Sequence, residues 1–119
     1  DHKKMAIEKK KTLFCDIDGT IFIYRKFETY ESTQAEVIDS TKKWLEKSHN
    51  DGHYIVLTTA RPEWLRDHTI YELNENSIPY DQLVMGIGRG TRILINDREE
   101  DDLEDRAIAV NLTRNQGII

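Results

Sequence analysis

The chain has 119 residues, enough for one hydrophobic core and too few for two independent ones. Its 22 acidic and 17 basic side chains leave a formal net charge of -5, which excludes a broad basic surface and disfavours nucleic acid as a bulk partner. The single cysteine, Cys15, excludes an intrachain disulfide and fits a reducing, cytoplasmic compartment, and no apolar run reaches the roughly 18 residues of a membrane span.

The opening residues 1–10 read as a basic arm, with residues 1–4 before Met5 set aside as a remnant of expression, and residues 11–119 as a single domain. Residues 11–17 form a short, mostly apolar run flanked by polar residues, the pattern of a buried parallel strand. "IFIYRKFETY", residues 21–30, is rich in β-branched and aromatic residues and predicts a β-hairpin or flap, too small for a folded cap domain. Ser32 or Thr33 is placed to cap a helix with Ala35, Ile38, Trp44 and Leu45 on one side, ended by Asn50-Asp51-Gly52. "HYIVLTTA", residues 53–60, predicts a second strand that ends in hydroxyl residues.

Pro62 suits the first turn of a second helix, whose apolar stripe is Trp64, Leu65, Ile70 and Leu73. "QLVMG" predicts a third strand and "GIGRGT" a glycine-rich loop. "RILIND" predicts a fourth strand, the acidic residues 99–105 a solvated face, and "AIAVNL" a fifth strand. Strands alternating with helices at these lengths predict a three-layer, Rossmann-like α/β domain with a mainly parallel central sheet and a short β-hairpin flap after the first strand.

In open parallel sheets ligands bind beyond the carboxyl ends of the strands. Those ends carry Asp16, Asp18 and Thr20, then Thr58, Thr59 and Arg61, then Asn96 and Asp97. Carboxylates, hydroxyls and a guanidinium together suit a phosphate beside a hard divalent cation. Mg2+ takes oxygen ligands and often only one or two carboxylates, which Asp16 and Asp97 can supply. One carboxylate can attack phosphorus while a neighbour protonates the leaving oxygen and then activates water. His49, His53 and His68 lack metal-ligand spacing and read as structural, and Cys15 reads as a small core residue.

"DIDGT" after an apolar strand, "IVLTTAR" and "ILINDREED" resemble the motifs of the haloacid dehalogenase-like phosphohydrolases, over residues 11–119. The resemblance implies a Mg2+-dependent phosphatase on a Rossmann-like core. It implies Asp16 as nucleophile, and Asp18 as general acid/base and as metal ligand through its backbone carbonyl. Asp97 would complete the metal site, Thr59 (or, in the other alignment, Thr58) would offer the phosphate-binding hydroxyl, and Thr20 would support the turn.

The family's phosphate-neutralising lysine has no counterpart, because no lysine follows Lys47; Arg89 and Arg92 are the nearest replacements, and arginine can bind phosphate bidentately. "TARP" and "NLTRNQG" are similar to segments of small phosphatases of capsule and surface-polysaccharide synthesis. A small phosphorylated substrate, a sugar phosphate first, is therefore expected, with no membrane partner. A second subunit is one means of excluding water from a cap-less site. The competing expectation is a non-catalytic phosphate-binding or interaction module with the same fold.

Overall fold

The computed structural model describes residues 9–118, so most of the basic arm expected over residues 1–10 lies outside the described residues. Three parallel strands form one sheet: β1 (Thr12–Asp16), β2 (Tyr54–Thr58) and β3 (Gln82–Val84), in the order β1-β2-β3. Helix α1 (Asp39–Asn50) links β1 to β2. A 3-10 turn (Glu63–Leu65) running into helix α2 (Arg66–Glu75) links β2 to β3. These are two β-α-β units, the arrangement expected from the alternation of apolar runs and amphipathic segments, and they make a mixed α/β fold of the Rossmann-like kind.

The central position of β2 follows from its composition. Ile55, Val56 and Leu57 are all buried, as a strand with a neighbour on both edges requires, and β1 alternates around buried Cys15 with Phe14 turned outward. Cys15, Ile17, Ile21, Phe22, Leu45, Ile55, Leu57, Leu73 and Ile78 form the main core, and Tyr30, Leu65 and Met85 a second cluster. Asp81 fixes the entry to β3, with its carboxylate accepting from Ile55 N at 2.7 Å and its own N–H donating to Ile55 O at 2.8 Å. The register sets Asp16 beside Thr58 and Thr58 beside Val84, so the three strands finish in one row.

Several expectations are corrected. α1 begins at Asp39, not after Ser32 or Thr33: the Thr33 hydroxyl instead donates to Thr29 O within a turn, and Ile38 stands at the N-cap without a side-chain cap. The flap is longer than residues 21–30. Its legs meet antiparallel where Ile23 N donates to Glu36 O at 2.8 Å and Ile38 N to Ile21 O at 2.7 Å, and its tip is a 3-10 turn, Phe27–Thr29. In the second helical segment Trp64 is exposed, edge-on to Phe27 with ring centroids 5.8 Å apart, whereas Thr69 and Glu72 are buried with Leu73.

The fourth and fifth strands are absent from the described residues. Residues 92–97 and 107–112 have no ladder partner, and Ile93 and Ile95 stand 79% and 88% exposed. An apolar β-branched run supplies the propensity for a strand, but a strand exists only when its N–H and C=O groups meet those of a neighbour. Among the described residues β1 is paired on one side alone, with β2. No described helix is long and apolar enough to cross a membrane.

Candidate active site

Asp16 is the last residue of β1, and the chain turns sharply after it. The N–H groups of Thr20, Ile21 and Phe22 all donate to Ile17 O, at 3.2, 2.8 and 3.1 Å, and Gly19 N donates to Phe22 O at 2.7 Å. Gly19 sits at φ +90°, a conformation that only glycine adopts without strain, while Ile17, Ile21 and Phe22 are fully buried. The loop is thus pinned from below by apolar side chains, and its polar ones are left at the sheet's carboxyl edge. Thr20 Oγ1 donates to Asp16 Oδ2 at 3.2 Å. Desolvation raises the Asp16 carboxyl above its ordinary range against the Thr20 hydrogen bond, and the Asp18 charge adds to the rise.

Asp18 faces a different set of partners. Its Oδ2 accepts from Arg61 Nε at 2.9 Å and from the Tyr30 hydroxyl at 2.9 Å, and its Oδ1 from Arg61 Nη2 at 2.8 Å. Arg61 is fully buried, and its Nη1 donates to Thr69 Oγ1 at 3.0 Å and Glu72 Oε1 at 2.8 Å. Burial works against the Arg61 charge, but the hydrogen bonds and charges of Asp18 and Glu72 outweigh it and raise the pKa further. Glu72 also receives Arg25 Nη2 on both oxygens at 2.9 Å, so two cations and two anions share one largely buried network. Among the described residues, Arg25 Nε is the buried side-chain donor or acceptor left without a partner.

β2 and β3 bring Arg61 to this place by pairing beyond their strand ends. Thr59 N donates to Val84 O at 2.9 Å and Gly86 N to Arg61 O at 2.7 Å, while the buried Thr59 hydroxyl accepts from Arg61 N at 3.1 Å. The flap reaches the same network from the other side. Its Tyr30 ring lies 4.2 Å below the Arg61 guanidinium and 5.1 Å from that of Arg25, and His68 Nε2 lies 3.0 Å from Tyr30 O. Desolvation, with the charge of Asp18, pushes the Tyr30 hydroxyl up to about 12, so it stays a donor.

The other expected site residues are more dispersed. Thr58 lies half-buried beside Asp16 in the register. Arg92 is exposed, donates to Gly90 O at 2.6 Å, and lies near enough for its charge to favour the Asp16 carboxylate. Arg89 is exposed, 6.0 Å from the Phe27 ring of the flap. Asp97 lies on the exposed coil after Arg92. Among the described residues, Glu99, Asp101 and Asp102 are the one group whose three side-chain ligand atoms fall within 4.8 Å, and Arg106 already pairs with Asp102 at 2.6 Å and Glu99 at 3.2 Å.

Comparison with known proteins decides the family. The family model of haloacid dehalogenase-like hydrolases matches residues 13–113, from β1 through the coil that carries Asp97. The chain belongs to this family. Two solved structures share the fold. A chain of the Pnkp1/Rnl/Hen1 complex is 23% identical with a TM-score of 0.59, over 71% of this chain and 30% of its own length. A structural-genomics target from Vibrio cholerae is 22% identical with a TM-score of 0.52, over 70% of this chain and 78% of its own. No match is found among curated proteins. The chain thus spans less than a third of the first of these structural relatives. At these identities both likenesses speak for the fold alone.

Arg25, Thr69 and Glu72 escaped the reading of the sequence, and Tyr30 reads there only as a flap aromatic that covers the site or packs the hairpin. A signal for Glu72 was present: an arginine directly after a buried strand needs a buried acid, and Thr69 and Glu72 lie one helical turn apart on one face. Tyr30 had no such signal, because its partner lies across a loop of irregular backbone.

Proposed function

We propose that this haloacid dehalogenase-like hydrolase is a Mg2+-dependent phosphomonoesterase that works through a phosphoryl group carried on Asp16. The observation that carries the reading is the division of labour between two carboxylates one residue apart. Asp16, which accepts a long hydrogen bond from the Thr20 hydroxyl and one from the Ile17 backbone, sits at the strand end beside Thr58; Asp18 is locked by Arg61 and Tyr30. The nucleophile needs an oxygen open to phosphorus, and the acid/base needs a fixed direction.

In the first step an Asp16 oxygen bonds to phosphorus and the ester oxygen leaves with a proton from Asp18. In the second, Asp18 takes a proton from water, whose oxygen bonds to phosphorus and releases Asp16 and inorganic phosphate. Asp18 is thus the proton donor of the first step and the proton acceptor of the second. Thr59 or, in the other alignment, half-buried Thr58 offers a hydroxyl to the phosphoryl oxygens, and Arg92 or Arg89 supplies the positive charge that a lysine provides elsewhere in the family.

The donor set fits a hard cation, being all oxygen: the Asp16 carboxylate and the Asp18 main-chain carbonyl would hold it, with Asp97 as the further carboxylate. Mg2+ bound there would neutralise charge on the phosphoryl oxygens. The short flap, in place of a cap, leaves room for a sugar phosphate of varied size. We extend the proposal to a cytoplasmic setting, a small-molecule rather than nucleic-acid partner, and self-association as a means of covering the site.

The test is phosphate release from a panel of phosphorylated sugars and nucleotides, with Mg2+ and with EDTA. Turnover is expected to require Mg2+ and to fall at least 1,000-fold, roughly 4 kcal/mol of barrier, in Asp16→Asn. Full activity in that variant would refute the reading. The lack of a lysine after Lys47 favours one alternative, a non-catalytic phosphate-binding module. Phosphate-analogue binding without turnover on any member of the panel would select it.

A further inference from the structure

We infer that Tyr30 is a positioning residue for the proton-transfer step: carried on the flap, it completes with Arg61 a clamp that fixes the direction of the Asp18 carboxylate. The inference rests on reading Asp18 as the acid/base. Tyr30 grips the pair twice. Its hydroxyl donates to Asp18 Oδ2 at 2.9 Å, and its ring face lies 4.2 Å from the Arg61 guanidinium carbon. The ring covers a guanidinium that is shared between Asp18 on one side and Thr69 and Glu72 on the other. With it, the cation is held between an aromatic face and its carboxylate partners, in a setting where charge-assisted bonds are worth most.

The flap itself is tied down so that Tyr30 can act. Arg25 donates to Glu72 through Nη2, and through Nη1 to Thr33 O at 3.1 Å and Tyr30 O at 3.4 Å, while His68 lies against the same Tyr30 carbonyl. The flap's two ends and α2 are thereby joined at one acid. A flap whose task was only to cover apolar surface would need neither a buried arginine nor a tyrosine hydroxyl on a catalytic carboxylate. Docking of the flap and orientation of Asp18 are one event.

Tyr30→Phe removes the hydroxyl and keeps the ring; Tyr30→Leu removes both grips. We expect kcat to fall about tenfold in Tyr30→Phe, which is one hydrogen bond's worth, and further in Tyr30→Leu, with KM within about twofold in each. Exchange of the Arg61 Nε–H proton, followed by NMR in the substrate-free protein, should speed up about tenfold in Tyr30→Phe and further in Tyr30→Leu. An unchanged kcat, or a loss confined to KM, in a protein whose wild type turns over and whose Asp16→Asn does not, overturns the clamp and leaves the phosphatase reading intact. If the wild type shows no Mg2+-dependent turnover, or Asp16→Asn keeps it, the phosphatase reading fails instead. The exchange rate then decides the clamp alone, and equal rates in wild type and variants refute it.

Discussion

Arg61 and Asp18 meet fork to fork, Nε to Oδ2 at 2.9 Å and Nη2 to Oδ1 at 2.8 Å, with the arginine side chain wholly out of solvent. The pair joins the end of β2 to the loop after β1. It therefore ties the position of a candidate catalytic carboxylate to the packing of the sheet. Planar bidentate pairing fixes direction as well as distance, which a single-point ammonium cannot do.

Removing the cation should be costly. Arg61→Ala leaves the carboxylates of Asp18 and Glu72 in a buried network with Arg25 as the remaining guanidinium, and loss of one partner of a buried pair costs about 3–5 kcal/mol. Urea unfolding should show that loss as a lower midpoint at unchanged slope. Arg61→Lys should retain part of the stability and little of the activity, because the charge survives and the fork does not.

Glu72→Gln tests the anchoring of the flap to α2. The amide keeps the size of the side chain but withdraws the negative charge that Arg25 and Arg61 share. Arg25 and Lys26, next to the exposed tip of the flap, should then be cut by trypsin about tenfold faster, since cleavage follows the population of the open form when reclosing is fast. Unchanged cleavage would mean that apolar packing of Phe27 and Tyr30 holds the flap without the ions.

How much of this could be read from the sequence depends on whether a residue's role is local. Asp16, Asp18 and the glycine turn after them follow from a strand meeting a loop, and strand-ending Thr58 follows from the same pattern repeated; the sheet register then brings the two ends together. The three parallel strands and two helices are local patterns too. The buried network is not. Arg61 looked like a ligand for phosphate because its sequence neighbours are hydroxyls, yet its donors go to Asp18, Thr69 and Glu72, two of them on a helix face that reads as weakly apolar. Ile93 and Ile95 show the opposite error: a strong strand propensity whose pairing partner no local pattern can guarantee.

Cys15 supplies a pH signature of the core. Burial, with the neighbouring Asp16 charge, pushes its thiol from 9.0 up to about 12. The folded state therefore keeps a proton that the unfolded chain releases above pH 9, so this contribution is whole below pH 9 and is lost as pH rises toward 12. Wild type should lose more stability over that window than Cys15→Ala, measured by urea midpoints. At pH 8 iodoacetamide should label Cys15 in urea and leave it untouched in the native protein.

The end of the described chain acts on the same loop as Asp16. Asn115 N donates to Gly19 O at 2.8 Å and Asn115 Oδ1 accepts from Tyr24 N at 2.7 Å, so the turn around Asn115 bridges the loop after β1 and the flap's first leg. Gly117 lets that turn lie flat on the start of α1. It is at φ +76°, and a Cβ there would fall 2.6 Å from Ile38 Cγ2, 3.0 Å from Thr41 Oγ1 and against Ser40 Oγ. Backbone strain and overpacking together should make Gly117→Ala cost about 1–3 kcal/mol. If the turn moves to relieve the contact, Asn115 leaves Gly19 and Tyr24, and the loop carrying Asp16 and Asp18 loosens. The expected signature is a lowered unfolding midpoint together with a lower kcat for phosphate release, though Gly117 touches neither carboxylate. A stability loss with kcat unchanged would show that the turn fastens the chain end and leaves the loop to its own internal hydrogen bonds.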